Sequence, residues 1–548
     1  MAPPDSLLGA CTAALQRTFP LQEAGRVRVQ TSFSRPYPVR SLYPLAHIHP
    51  TDGHASRASD ALAVYKEHVV VTATWTPTGG EERMMYAIEC YVYTLPACGA
   101  GLFYVAKLDS TGYGPRVVPE RAHLPETYRD TPSIATALTA ATVAYFASRT
   151  HWRSMPHITH VSVHVLARAQ AAYLFPSSPD NPRKRALSDA ALIRWWRACL
   201  SEAIAQLRDA HPADQVHAYY LIPGYARLDS HPLVPLVPTD APSAVAGRDA
   251  AVHAAGWVYG HPYSPAGAGE AVRPALPLHP RDEEQRSVHT NEAQRRVSLA
   301  TLIPVFPDDP KGRFINELCS SAHEPGKRVA GDHVAGISSA HRDAMLERQA
   351  LDRLDVDRFW ESMGFRQECS SGNAVGVFVV SVSGCSEAKE VETVRHADAV
   401  DADARAAPAA GVAPAADVAP AADVAAARES AAPHRAAPAP QPGSLPQSML
   451  EELVLKYMLQ DACRWGDAAE AVRLTANYFA ALDRATRRKA SESDAPDAER
   501  RPWATVDLGA VPAEVVALGK RHADAHGPSD ARADAPVRVL SVKRKRRS

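Results

Sequence analysis

The sequence predicts an α/β chain, an antiparallel meander of strands followed by helices that alternate with further strands. Three observations predict it. Val69–Trp75, Met84–Leu95 and Leu102–Lys107 are β-branched and aromatic runs separated by short glycine-bearing turns, the first marked by Gly79 and Gly80, which is the pattern of consecutive hairpin strands. Helix-period segments over Ser133–Ser148 and from Ser188 to Leu207 then alternate with the apolar runs Ile158–Leu166, Val216–Ile222 and Val375–Val382, as helices and strands of one body do. Between residues 386 and 443 the composition collapses to Ala, Pro, Asp and Val. That stretch divides a long first body from a short C-terminal one.

The 548 residues carry 60 Lys and Arg against 61 Asp and Glu, so the global field favours neither nucleic acid nor a membrane surface. At roughly 100–200 residues per domain there is room for two or three domains. The eight cysteines, at 11, 90, 98, 199, 319, 369, 385 and 463, form no CxxC pair and no Cys/His zinc spacing, which fits reduced thiols in an intracellular protein without structural metal. Residues 1–16 lack a basic segment followed by a long apolar one, so no secretory signal is expected. No run approaches the eighteen or more apolar residues of a membrane helix.

In chain order, residues 6–16 predict a short amphipathic helix and Val27–Ser32 an extended segment, before a Pro/His-rich passage from Arg35 to Thr51. The three meander strands end at Lys107–Tyr113, where Asp109, Ser110, Thr111 and Gly112 offer hydroxyls and amides to a ligand or simply make a turn. The strand at Ile158–Leu166 bears His160 and His164 four residues apart, too far along a strand to grip one metal ion, with no carboxylate completing a set. Tyr173–Pro176 leads to the basic run Arg183, Lys184 and Arg185, either a solvated loop or a phosphate contact. Ser188 or Asp189 caps the helix through Trp195 and Trp196. After the strand Val216–Ile222, closed by Pro223 and Gly224, come a proline-rich loop over 228–250, an aromatic patch at Gly256–Gly260 and a second loop over 264–292.

Leu299–Phe306 reads as a strand feeding Phe306-Pro307-Asp308-Asp309-Pro310-Lys311-Gly312-Arg313-Phe314. Here Asp309 is a helix N-cap and Pro310 suits the first helical position. The same residues form a dense charged cluster beside apolar chain, able to hold a base tuned by its neighbours. Beyond Leu318 follow a polar loop, a helix carrying Met345, Leu346, Leu351 and Leu354, and a helical turn at Asp357–Trp360. Arg366–Gly372 opens the strand Val375–Val382, apolar enough to be central. The Ala/Pro stretch is expected to be disordered linker. Pro446–Leu459 and Asp467–Leu482 predict amphipathic helices packing back on the body. The last residues, Lys543–Ser548, form a basic tip that reads as a nuclear address, an acidic-partner arm or a solvated tail.

Phe306–Phe314, Phe359-Trp360, Phe365–Gly372, Tyr86–Tyr93, Lys107–Tyr113, Tyr173–Pro176 and Trp195-Trp196, in that family's order, resemble the fungal histone acetyltransferases of the regulator-of-Ty-transposition type. The resemblance implies the fold of the CREB-binding-protein class, a central mixed β-sheet surrounded by helices, with acetyl-CoA as co-substrate and no metal. On it, residues 1–385 are the catalytic core, 386–443 a linker, 444–485 C-terminal helices on the core and 486–548 a polar tail. It implies acetylation of histone H3 (with H4) presented by chaperones of the anti-silencing and NAP types, nuclear localisation, and a part in chromatin assembly and the DNA damage response. By carry-over, Asp309 with Asp308 adjacent is catalytic and Lys311 is self-acetylated. Leu108, Asp109, Ser110 and Thr111 lie at the cofactor. Tyr219 (with Tyr220 a rival one residue away) and Trp257 serve catalysis and the cofactor as an aromatic tunnel around the lysine stem. The residues also allow a catalytically inactive chromatin adaptor, although such a relative is expected to lose the paired aspartates or the lysine, and this chain keeps both.

Overall fold

The computed structural model describes residues 5–18, 21–39, 42–43, 45–46, 63–117, 131–231, 233–234, 252, 254–263, 298–322, 339–366, 373–384, 437–490 and 502–510. The strands are β1 (Gly25–Phe33), β2 (Tyr37–Val39), β3 (Val64–Pro77), β4 (Arg83–Leu95), β5 (Ala100–Ser110), β6 (His160–Arg168), β7 (Gln215–Leu221), β8 (Val258–Tyr259), β9 (Val375–Ser383) and β10 (Trp503–Leu508). The helices are α1 (Leu7–Leu15), α2 (Ile134–Ala147), α3 (Asp189–Ala210), α4 (Leu299–Leu302), α5 (Pro310–Ser321), α6 (Ser339–Asp352), α7 (Val356–Met363), α8 (Gln447–Val454) and α9 (Ala468–Ala490).

Among the described residues all ten strands belong to one sheet, ordered β10-β1-β3-β4-β5-β6-β9-β7-β8 with β2 beside β3. The meander β3-β4-β5 is antiparallel as expected, because its glycine-bearing turns are too short for a crossover. Helix α2 provides the crossover that makes β5 and β6 parallel. Strand β9 lies antiparallel between β6 and β7, which is why Val375–Val382 is apolar nearly throughout. The sheet is therefore mixed, with helices on both faces.

Strand residues alternate between those faces. On one face α1, α2 and α3 cover Phe103, Val163, Val165, Phe378 and Val380, and Phe103 stacks on Phe146 of α2 at 4.8 Å. Helix α2 is buried on almost every side between the sheet, α1 and α3, so its Ala/Thr-rich composition permits close approach all round. The opposite face carries separate apolar clusters. Helices α8 and α9 cover Val70, Met84 and Ala87 with Leu450, Leu474 and Tyr478, and Thr475 Oγ1 accepts the Met84 amide at 2.8 Å. Helices α4 to α7 close over Leu221 and Val377. Between these two clusters Tyr93, Leu102 and Tyr104 meet Phe306.

Several expectations are corrected. Leu299–Phe306 is not a strand. Ser298 caps a single helical turn by accepting the Ala300 amide at 3.2 Å, and the apolar side chains that suggested a strand are buried among helices. The polar loop expected at Lys107–Tyr113 is instead strand up to Ser110, paired with Tyr86 on β4. Tyr37–Val39, inside the passage read as surface chain, pairs with Val64–Lys66. Trp503–Leu508, read as polar tail, adds an edge strand to β1, and Arg28 stands 4.7 Å over the Trp503 ring. The stretch expected to be linker, as far as residue 436, the residues 367–372 and the basic tip lie outside the described residues.

One buried carboxyl sets a stability prediction. Glu67 of β3 is 4 % exposed, its Oε1 has no hydrogen-bond partner among the described residues, and burial raises its carboxyl from 4.5 to about 8. The native state then holds a proton that the unfolded chain releases above pH 4.5, so stability falls as pH rises from there to about 8. Glu67→Gln removes that loss. In urea titrations its advantage over the wild type is expected to grow by up to about 1.4 kcal/mol per pH unit across this window. An advantage independent of pH would show that Glu67 is already ionised in the fold.

Candidate active site

Asp309 is the N-cap of α5, with an extended backbone, and its Oδ1 accepts the Lys311 amide at 3.0 Å. Its Oδ2 accepts a hydrogen bond from Lys311 Nζ. The side chains of both partners are buried, Asp309 fully. One residue earlier Asp308 takes φ 55°, left-handed backbone that a residue with a Cβ adopts only at a cost. It is exposed and lines a cleft. The two adjacent carboxylates thus have different environments: Asp309 is held by the helix and the lysine, while Asp308 is open to an incoming group.

Aromatic packing fixes the motif to the sheet. Phe306 stacks on Tyr104 at 4.3 Å and lies 5.6 Å from Tyr93 and 5.3 Å from His164. Lys311 Nζ sits 5.4 Å from the centre of the Phe306 ring. Two imidazoles share this buried region. Burial and then the Lys311 charge push His261 down to about 3, and His164 falls well below its ordinary value from burial first, then Lys311 and the neighbouring histidines. Both are therefore neutral at physiological pH.

The cleft exists because two parallel strands part. Pairing between β5 and β6 ends at Val105 and Val165. Beyond that point β5 stays with β4 and β6 with β9. The wedge between them is a cavity of about 330 Å³, walled by Tyr104, Lys107 and Leu108 of β5, Leu166 and Arg168 of β6, Leu192 and Trp196 of α3, and Asp308, Pro310 and Arg313 of the motif. Apolar walls, several cations and one carboxylate suit a long ligand with an apolar arm and an anionic end, such as acetyl-CoA. Among the described residues no group of three or more His, Cys, Asp or Glu is placed to hold a metal ion.

The other expected site residues divide. Leu108 lines the cleft. Asp109 lies beneath it, with its carboxylate accepting the amides of Ser110, Tyr173 and Leu174 at 2.7, 2.7 and 3.1 Å and Lys184 Nζ at 2.7 Å. Lys184 also donates to Ser178 Oγ at 2.6 Å, so this member of the basic run is a buried partner of Asp109 rather than a solvated or phosphate-facing side chain. Thr111 is buried and donates to the Met84 carbonyl at 2.6 Å, while the Ser110 and Thr111 amides are engaged by Asp109 and Met85. Gly112 (φ +87°) lets the chain turn there, since a Cβ would meet the Lys184 nitrogen at 2.6 Å. The segment anchors Tyr173, which lines the cleft.

Tyr219 and Trp257 do not come together. Tyr219 pairs with Val379, which pairs with His164, placing it on the face of the motif. Tyr220 points to the other face, where Trp257 lies 6.2 Å from it and 5.7 Å from Phe378, with its indole donating to Ser201 Oγ of α3 at 2.8 Å. The expected aromatic pair is separated because successive strand residues face opposite ways and Trp257 follows Tyr220. The motif's face carries Tyr263, His261 and Trp360 besides Tyr219, with His261 5.2 Å from Tyr263 and 5.3 Å from Trp360. Sequence reasoning passed over Tyr93 and Tyr104 and weighed His164 only as a metal ligand. For His164 the signal was the alternation of His160, Ser162 and His164 with valines, which marks a buried strand with one polar face.

Comparison with known proteins places this geometry. The model of the histone acetyltransferase KAT11-type domain matches residues 120–416. Histone acetyltransferase rtt109 of Aspergillus flavus is 25 % identical over 373 residues, 64 % of this chain and 52 % of that relative. The rtt109 of Schizosaccharomyces pombe is 24 % identical over 308 residues, 54 % of this chain and 56 % of that relative. The chain spans about half the length of the curated relatives it matches. The crystal structure of Rtt109 from Aspergillus fumigatus shares the fold, with a TM-score of 0.52 at 17 % identity, covering 92 % of this chain and 99 % of that one. Since the family model covers more than half of the sequence, the chain belongs to the histone acetyltransferase KAT11-type family.

Proposed function

We propose that this protein transfers the acetyl group of acetyl-CoA to lysines of histone H3 in the nucleus, on H3–H4 presented by a histone chaperone of the anti-silencing or NAP type, in support of chromatin assembly and the DNA damage response. The observation that carries the reading is the exposed carboxylate of Asp308 on the wall of the cleft where β5 and β6 part, backed by the buried Asp309–Lys311 pair. Acetyl-CoA supplies the activated acyl group and leaves as the thiol. An unperturbed lysine, with a pKa near ~10.4, is overwhelmingly protonated at pH 7, so the chain has to remove a proton from the incoming ammonium. Asp308 attracts that ammonium and accepts the proton. Asp309 fixes the start of α5 and, through Lys311, the charge behind it. Tyr219, Tyr263 and Trp360 wall the lysine stem and keep water from it.

Lys311 is the self-acetylation site on this reading. Acetylating it removes the positive charge paired with Asp309 and relieves the electrostatic depression of His164 and His261. The alternative, an inactive chromatin adaptor, is disfavoured by the presence of an exposed Asp308 on the cleft beside the buried Asp309–Lys311 pair.

Transfer of labelled acetyl groups to H3–H4, with and without chaperone, tests the reading. Asp308→Asn is expected to lower kcat by about 100-fold or more with its melting temperature unchanged. Asp309→Asn leaves Lys311 buried without its anion, so it is expected to lose activity together with about 3–5 kcal/mol of stability. Full activity of Asp308→Asn would move the proton-accepting role elsewhere, and a wild-type protein that labels nothing under any condition would favour the adaptor. Mass spectrometry of protein from its native cells is expected to find acetyl-Lys311; unmodified Lys311 in fully active enzyme would sink the self-acetylation role. Deleting Lys543–Ser548 is expected to reduce nuclear retention while leaving self-acetylation unchanged, and unchanged retention would assign the address to another segment.

A further inference from the structure

One charged cluster on the cleft wall takes no part in the acetyl-transfer chemistry. Lys107 of β5 donates to Glu89 Oε2 at 3.1 Å, and His68 Nε2 of β3 stands 2.9 Å from Glu89 Oε1. Tyr91 adds its hydroxyl to the same carboxylate oxygen at 3.3 Å. Glu89 and His68 are buried, while the Lys107 side chain is 22 % exposed and lines the cavity that also holds Asp308. Three adjacent strands thus build a rigid support whose one accessible member is an ammonium.

The backbone is shaped to aim that ammonium. Glu89 pairs with Lys107 and Cys90 with Val105, so Ala106 is an extra residue, a β-bulge on β5. The bulge falls directly after Val105, the last β5 residue paired to β6. In unbroken alternation Lys107 would share the face of Val105, which belongs to the core under α2 and α3. The bulge turns it to the face of Tyr104 and the cleft, a use bulges have beside active sites. Burial alone would raise the Glu89 carboxyl, but the neighbouring His68 and Lys107 outweigh it and hold it at about 2. Glu89 is therefore an anion throughout the working range and keeps Lys107 in place.

We propose that Lys107, oriented by Glu89 and His68, binds a phosphate of the acyl donor. The inference rests on the acetyl-CoA reading above and adds the group that recognises the donor's anionic end. Of the three N–H donors of Lys107, Glu89 takes one, and among the described residues no other hydrogen bond competes for an oxygen entering the cleft. The charged lining comprises Lys107, Arg168 and Arg313 against Asp308. The cations of that wall attract a phosphate, while Asp308 remains for the lysine. Lys107 is a binding residue and Glu89 its positioning residue. The nucleotide's pyrophosphate and its 3′-phosphate are both candidates for the bound group.

Calorimetric titration of the full chain with CoA, 3′-dephospho-CoA and pantetheine tests this without requiring turnover. Lys107→Met is expected to weaken CoA by about tenfold or more, to leave pantetheine binding unchanged, and to raise KM for acetyl-CoA with kcat nearly unaltered. Lys107→Arg is expected to restore most of the loss, and Glu89→Gln to give an intermediate weakening. If 3′-dephospho-CoA is weakened by Lys107→Met as much as CoA, the contact is the pyrophosphate; if it is not weakened, the contact is the 3′-phosphate. Equal CoA affinity in wild type and Lys107→Met, or an equal loss for pantetheine, overturns the assignment while the acetyl-CoA reading stands. A folded wild-type chain that binds no CoA removes both.

Discussion

The separation of β5 from β6 past Val105 and Val165 is the constraint on which the site depends. A parallel pair that stayed joined would leave no cavity, and the motif at Asp308 would face a closed sheet. The opening is kept by groups outside the pair. Strand β4 holds β5 through Tyr86, Ala87, Ile88 and Glu89, and β9 holds β6 out to Arg168. The Asp109 carboxylate then gathers Lys184 and the amides of Ser110, Tyr173 and Leu174. Breaking a buried ion pair of this kind costs about 3–5 kcal/mol, so the segment after β6 is tied firmly to the end of β5 and the cleft keeps its shape.

A second division follows from the first. The chain returns to the cleft through Phe306, whose ring is stacked on Tyr104 of β5, and the left-handed residue Asp308 turns it into α5. Two chemically identical side chains then diverge. Asp309 satisfies one orphan amide of the helix start, that of Lys311, and the ammonium of the same lysine, while Asp308 keeps its carboxylate open. The strain at Asp308 is sustained by the stacked ring on one side and the capped helix on the other.

The mixed sheet also separates support from chemistry. Helices α1, α2 and α3 cover one face almost without interruption, and Trp257 belongs there with Tyr220 and Phe378. The other face is shared between the helices around the motif and the C-terminal pair α8 and α9. Glu89 and His68, which pair with Val70 and Tyr91 across β3 and β4, connect the cleft to this second face. The C-terminal helices consequently form part of the folded body that holds the cleft wall.

Local signals in the sequence were enough to determine the meander, the helices over Ser133–Ser148 and from Ser188 onward, the central strand Val375–Val382, and the cap at Asp309. In each case neighbouring residues carry the cause: alternation, helical periodicity, or a capping oxygen beside an amide. The same was true of the family, whose motifs lie contiguous along the chain. The tertiary structure decided what depends on partners far away in sequence. It made Leu299–Phe306 a buried turn because helices rather than a strand meet it, and gave Trp503–Leu508 a strand's geometry because β1 offers an edge. It set Tyr219 and Trp257 on opposite faces through the register of β7 with β8 and β9. It chose Asp308 as the open carboxylate, and through one extra residue at Ala106 it turned Lys107 from the core to the cleft. Register, face and burial are properties of paired strands, and a single strand's sequence does not contain its partner.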